Sequence, residues 1–128
     1  MTTVLVTGSR DFEDEVVIDA YLTLVAKLHP APFTLVQGGA RGADTLAFAW
    51  ASKHGWKVVT VPAQWQASGP AAGPFRNSQM IENYQPHVGV CFRRNMSSGS
   101  SDCLRKMYAY QKAKNSRLKS VLVADSFN

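Results

Sequence analysis

Short runs of β-branched and aliphatic residues alternate with longer segments of helical period, and this alternation constrains the chain more than any single motif. The runs are Val4-Leu5-Val6, Thr34-Leu35-Val36, Lys57 to Val61, His87 to Phe92 and Ser120 to Ala124. Between the first two, from about Asp14 to Leu28, Val16, Val17, Ala20, Tyr21, Leu24 and Leu28 recur at helical spacing. Acids fill the first turn of that segment, Lys27 the last, and Pro30 and Pro32 stop it. Ala43 to His54 reads as a second helix with Gly55 placed to cap it, and Phe75 to Tyr84 as a short third. The stretch from Ala63 to Pro74, broken by Gly69, Pro70, Gly73 and Pro74, reads as loop. A Ser/Gly segment, Ser97 to Ser101, precedes the last helix, which runs to about Ala113.

Strands apolar on both faces and separated by helices predict a parallel sheet covered on both sides. Right-handed crossovers reduce the topologies to one α/β class, a single Rossmann-like, doubly wound sheet of about five strands with helices on both faces. With 128 residues, the chain is expected to be one domain over 1–128 with a core of its own. An apolar fraction of 45% with 18% charged residues excludes wholesale disorder. No run approaches the roughly 18 apolar residues of a membrane span, and no cationic start precedes an apolar stretch. A cytoplasmic protein without a membrane partner is therefore expected. Cys91 and Cys103 form no Cys-x-x-Cys pair and share no ligand spacing with His29, His54 or His87, so neither a metal nor a cofactor is expected.

In such sheets ligands bind beyond the carboxyl ends of the strands, and the chemically unusual residues fall there. The turn Gly38-Gly39-Ala40-Arg41-Gly42-Ala43-Asp44 joins a strand to a helix. Its glycines permit a close backbone approach, and the helix that follows points free N–H groups at an anion. Arg41 offers a bidentate contact to phosphate or carboxylate, and Asp44 either caps the helix or takes a ribose hydroxyl. Gly8-Ser9-Arg10 is a lesser version of the same turn; without a Lys-Ser/Thr pair it is no P-loop. Arg76 and Asn77 lie at the first turn of the short helix. Arg93 and Arg94 leave the fourth strand ahead of Ser98, Gly99 and Ser100, whose hydroxyls and N–H groups suit phosphate or sugar. Trp65 reads first as a core or interface residue and second as a stacking surface for a base, while Trp50 and Trp56 read as packing residues. Cys103 has no histidine placed to activate it, so a nucleophilic cysteine is not expected.

In order along the chain, Gly8-Ser9-Arg10, Gly38 to Asp44, the Pro62-Ala63…Trp65 turn, Ala72-Gly73-Pro74 with Arg76-Asn77 and Met80, and Gly99-Ser100 resemble the YspA/YpsA-type members of the SLOG superfamily. The resemblance covers about Thr3 to Ala124. It implies a Rossmann-like domain that holds a nucleotide or nucleotide-derived ligand on its glycine turns and arginines, and it implies a homodimer or higher homo-oligomer. It also implies a bacterial cytosol, or a host cytosol if the chain is phage-encoded. Related LOG phosphoribohydrolases cleave the N-glycosidic bond of nucleoside monophosphates with an Arg and a Glu. Here Arg76 is the matching arginine, the Glu position holds Cys103, and Asp102 stands one residue before it. Arg76 and Asp102 are therefore the candidate catalytic pair if hydrolysis occurs. The DNA-processing protein DprA (Smf) is similar in Gly39 to Asp44, Phe75 to Asn77 and Ser98 to Ser100, which implies single-stranded DNA binding as a further reading.

Charge separates the three. The net charge is +5, yet around the strand ends Arg10, Arg41, Arg76, Arg93 and Arg94 face Asp11, Glu13, Asp14, Glu15, Asp44 and Asp102, for a local net of −1. A groove for a polynucleotide backbone is strongly positive. Directed arginines among acids suit a small ligand carrying hydroxyls as well as phosphate. Binding of such a ligand ranks first, nucleotide hydrolysis second and nucleic-acid binding third.

Overall fold

In the computed structural model, which describes residues 1–127, five parallel strands form one sheet in the order β3-β2-β1-β4-β5. They are β1 (Thr2–Gly8), β2 (Phe33–Gln37), β3 (Lys57–Thr60), β4 (Val88–Arg94) and β5 (Ser120–Ser126). The helices are α1 (Glu15–Leu28), α2 (Ala43–Lys53), the single turn α3 (Trp65–Ser68), α4 (Ala72–Tyr84) and α5 (Ser98–Lys112). β1 pairs with β2 from Thr2↔Phe33 to Leu5↔Val36 and with β4 from Val4↔Val88 to Gly8↔Phe92. This is the Rossmann-like doubly wound sheet that the alternation predicts. Strand order reverses between β1 and β4, and a crevice opens at such a reversal.

Side chains alternate along the strands and so divide the core into two layers. Val4, Val6, Leu35, Val88, Val90 and Phe92 meet Ile18, Leu22 and Val25 of α1 and Ala43, Ala47 and Ala51 of α2. The alanines recur every fourth residue and let α2 lie close to the sheet. Leu5, Val36 and Cys91 meet Met80 and Ile81 of α4 and Cys103, Leu104 and Met107 of α5 on the opposite face. Asp14 starts α1 by accepting the N–H groups of Val16 and Val17, both at 3.1 Å. Trp56 stacks on Phe33 at 4.4 Å and meets Trp50 edge-on at 5.0 Å, so both tryptophans pack as expected.

The boundaries around the crevice differ from the sequence expectation. The segment read as loop holds α3 and a 3-10 turn (Gly69–Ala71), and α4 begins at Ala72 rather than Phe75. Pro74 is the third residue of α4, where a missing N–H is no loss because first-turn amides lack an intrahelical acceptor. α5 begins at Ser98, which makes Ser98, Gly99 and Ser100 its first turn rather than part of a linker before it. β4 extends past Phe92 because β5 continues the ladder, with Arg93 opposite Asp125 and Arg94 opposite Ser126. Among the described residues, no helix is long and apolar enough to cross a membrane.

Candidate functional site

The carboxyl ends of the strands open into a cleft of about 660 Å³ at the β1/β4 reversal. The end of β1 and the loop after it supply Thr7 to Asp11, the β2–α2 turn supplies Ala40, and the first turn of α2 supplies Asp44. Trp65, Pro70, Gly73, Pro74, Arg76 and Asn77 come from α3, α4 and the turn between them. Ser97 to Ser100, Asp102 and Arg105 come from the start of α5. Smaller hollows of about 200 Å³ beside Asp11 and Asp125, and of about 300 Å³ between α1 and α2, lie off this crevice.

Tight backbone packing holds the cleft open. Gly42 has φ +73°, and a Cβ there would stand 2.4 Å from the carbonyl oxygens of Ser9 and Arg10. A Cβ on Gly8 would meet the Ala43 Cβ at 2.3 Å and the Phe92 carbonyl oxygen at 2.4 Å. At both positions any side chain would push the β1 loop off the start of α2. The Ser9 carbonyl then accepts the Ala43 N–H at 3.1 Å and the Phe12 N–H at 3.2 Å. The buried Ser9 hydroxyl accepts the Arg94 N–H at 2.7 Å and shares a hydrogen bond with Ser97 Oγ at 2.7 Å. Ser97 in turn donates to Ser100 Oγ at 2.9 Å. This hydroxyl chain ties the β1 loop to the first turn of α5.

Asp44 is 5% exposed. Its Oδ2 accepts the N–H groups of Gly38 at 3.2 Å and Ala40 at 3.1 Å, which fixes the glycine turn. Its Oδ1 is buried and has no hydrogen-bond partner among the described residues. Burial pushes the carboxyl up to about 6, against the opposing pull of the Ala40 N–H, the Arg76 guanidinium and the Gly38 N–H.

Arg76 reaches back from α4 to the strand ends. Its Nη1 donates to the carbonyls of Gly38 at 2.9 Å and Val61 at 3.2 Å, and its Nε donates to Asn77 Oδ1 at 3.0 Å. Asn77, itself buried, donates through Nδ2 to Asp102 Oδ2 at 3.1 Å and to the Gly99 carbonyl at 3.4 Å. Lys106 adds a 2.9 Å bond to the same Asp102 oxygen, and Arg105 lies 3.4 Å from the other. Partial burial pushes Asp102 up, but Lys106, Asn77 and Arg105 outweigh it and hold the carboxyl below its usual range. Asp102 faces the cleft, whereas Cys103 is fully buried, and burial lifts its thiol to about 12. One residue of helix turns a side chain by ~100°, so the two neighbours point to different sides of α5.

The structure thus brings Gly8, Ser9, Arg10, Asp44, Arg76, Asn77, Ser98, Gly99, Ser100 and Asp102 to one cleft. Gly38, Gly39 and Gly42 form the turn behind the wall, and Arg41 is exposed outside it. Arg93 does not face the cleft; Asp125 grips its guanidinium at 2.7 and 2.9 Å. Trp65, read first as a core or interface residue, is 48% exposed on the cleft wall, where Arg10 sits 5.9 Å from its ring. Its place follows from Gly73, beside which the ring edge fits without a Cβ in the way. The sequence reading puts Arg105 and Lys106 outside the site loops, yet Arg105 lines the cleft and Lys106 holds Asp102. The signal was their spacing of three and four residues from Asp102, which puts all three on one side of a helix.

No group of three or more His, Cys, Asp or Glu side chains among the described residues is placed to hold a metal ion. The model of the "YspA, cpYpsA-related SLOG family" matches residues 2–67, the half of the chain that holds β1, the glycine turn and Asp44. The chain is 35% identical over 113 residues to the "Gene 61 protein" of Mycobacterium phage D29, covering 83% of this chain and 88% of that one. No solved structure matches. By the family match and the phage relative together, the chain belongs to the YspA, cpYpsA-related SLOG family.

Proposed function

We propose that this protein binds a nucleotide or nucleotide-derived small molecule in the cleft at the carboxyl ends of its strands. The observation that carries this reading is the convergence of the β1, β2, β3 and β4 loops on one cleft of about 660 Å³ at the strand-order reversal. That volume falls in the range of small-molecule sites. Its charged lining is balanced, with Arg10, Arg76 and Arg105 against Asp11, Asp44 and Asp102. Balance suits a compact ligand with both anionic and hydroxyl groups, and it opposes the long phosphate backbone of a DNA strand. The half-exposed Trp65 ring offers a face for a base, and the first turn of α5 offers N–H groups and hydroxyls to a phosphate.

Hydrolysis is the second reading, favoured by the position of Asp102 on the cleft wall. Against it, a carboxylate already held by Lys106, Asn77 and Arg105 is a poor proton donor at neutral pH and a weak base. Mass spectrometry of ligand released from the purified protein, followed by thermal-shift titration with ribonucleotides, cyclic dinucleotides and ADP-ribose derivatives, tests binding. Stabilisation by at least one class at micromolar to millimolar concentration is expected. No response to any of them, together with tight, salt-sensitive binding of single-stranded DNA, overturns the proposal. Chromatography of the same incubations separates binding from hydrolysis, because hydrolysis releases free base.

A further inference from the structure

We infer that the floor of the cleft is a hydroxyl site that selects ribose over deoxyribose, with Asp44 as the specificity-determining residue. This inference rests on the nucleotide reading above and concerns which sugar that ligand carries. The starting point is an incomplete hydrogen-bond set. Oδ2 of Asp44 is satisfied by two backbone N–H groups, while Oδ1, equally buried and on a side chain that lines the cleft, has no partner among the described residues. Buried polar atoms are paired in the great majority of cases, and an orphan at a cleft points to a group supplied from outside.

Arg76 supplies the complement. Its Nε–H and both Nη1 hydrogens are taken by Asn77, Val61 and Gly38, which locks the guanidinium in place. Nη2 has no hydrogen-bond partner among the described residues. The guanidinium is near enough to Asp44 to act on its charge, yet no ion pair joins them among the described residues. An acceptor-only oxygen and a donor-only nitrogen therefore stand in one cleft without closing on each other.

A hydroxyl is the ligand group that answers both with a single atom, donating to Oδ1 and accepting from Nη2. Phosphate monoesters, with a second pKa of about 6, are mostly dianions at neutral pH with no proton to donate, and the Asp44 carboxylate repels them. An amine donates to Asp44 but offers the guanidinium nothing. In a nucleotide the hydroxyls belong to the sugar, and a ribose presents one more of them than its 2′-deoxy counterpart. A site built to bond a hydroxyl discriminates against the analogue that lacks it, because its own buried polar atoms are then left unpaired.

The test is isothermal titration of the intact protein with the ribonucleoside 5′-monophosphates of all four bases, each beside its 2′-deoxy and 3′-deoxy counterparts. For any ribonucleotide that binds, at least one deoxy counterpart is expected to bind at least about 10-fold more weakly. Asp44→Asn is expected to weaken that ribonucleotide by a similar factor and to bring the ribo/deoxy ratio within about twofold, with circular dichroism confirming the fold. Equal affinity of wild type for ribo and deoxy forms overturns the inference and leaves the nucleotide reading standing, as does an Asp44→Asn protein that still discriminates. If no nucleotide binds at millimolar concentration, the nucleotide reading fails, and the sugar assignment fails with it.

Discussion

Replacing Asp44 by Asn is expected to make the ligand-free protein more stable at neutral and alkaline pH. Burial raises this carboxyl from 3.8 to about 6, so the folded protein holds the proton more tightly than the unfolded chain does. The group's contribution to stability is then complete below pH ~3.8 and is lost as pH rises through about 6. A shift of about two units corresponds to about 3 kcal/mol at pH 8. Asn keeps an oxygen for the N–H groups of Gly38 and Ala40 and places an uncharged NH2 where Oδ1 now lacks a partner. That unpaired NH2 costs about 1–2 kcal/mol. The net gain is about 1–2 kcal/mol at pH 8, or roughly 3–6 °C in Tm for a domain of this size. Urea unfolding followed by tryptophan fluorescence at pH 8 and pH 4.5 measures it, and subtracting variant from wild type cancels the other titrating groups. The advantage is expected to vanish or reverse by pH 4.5. A variant less stable than wild type at pH 8, or an advantage independent of pH, refutes the reasoning, because either result means that Oδ1 carries no uncompensated charge.

The other predictions address the frame of the site. His87 Nδ1 accepts the Thr3 N–H at 2.9 Å, and burial, aided by Arg117, the N-terminal amine and His29, lowers its pKa. Stability from this group is present above pH ~6.5 and lost as pH falls, so His87→Asn, which accepts without titrating, should flatten the acid limb of the unfolding profile. Gly42→Ala should cost roughly 2 kcal/mol or more in urea unfolding, since φ +73° and contacts of 2.4 Å oppose a Cβ; wild-type stability would show that the turn can shift. Asp125→Ala should cost about 1–3 kcal/mol by leaving the buried Arg93 guanidinium without its carboxylate; a change within 0.5 kcal/mol, about the noise of such measurements, would count against that pairing. Light scattering after size exclusion should show the homodimer that the family resemblance implies, and a mass of 14.0 kDa at micromolar concentration would exclude it.

The order of strands and helices was legible because it is written in local period, residue by residue. The wall of the cleft was legible in part, for a reason visible in three neighbouring pairs. Arg41 and Asp44 share one turn, yet Asp44 is drawn inward by the N–H groups of Gly38 and Ala40 while Arg41 finds no acceptor inside and stays in solvent. Asp102 and Cys103 are adjacent, and which of them faces the cleft depends on α5 starting at Ser98, a boundary that Ser/Gly composition conceals. Arg93 and Arg94 leave the same strand, but Arg93 is gripped by Asp125, thirty-two residues away, on a strand whose register no local pattern announces. In each pair a long-range contact or a helix phase, and not the residue type, sets where each side chain lies. Arg76 makes the same point from the other side. Read as an arginine for the ligand, it spends its Nε–H and Nη1 hydrogens on Asn77, Gly38 and Val61, so most of its donors hold the wall of the cleft together.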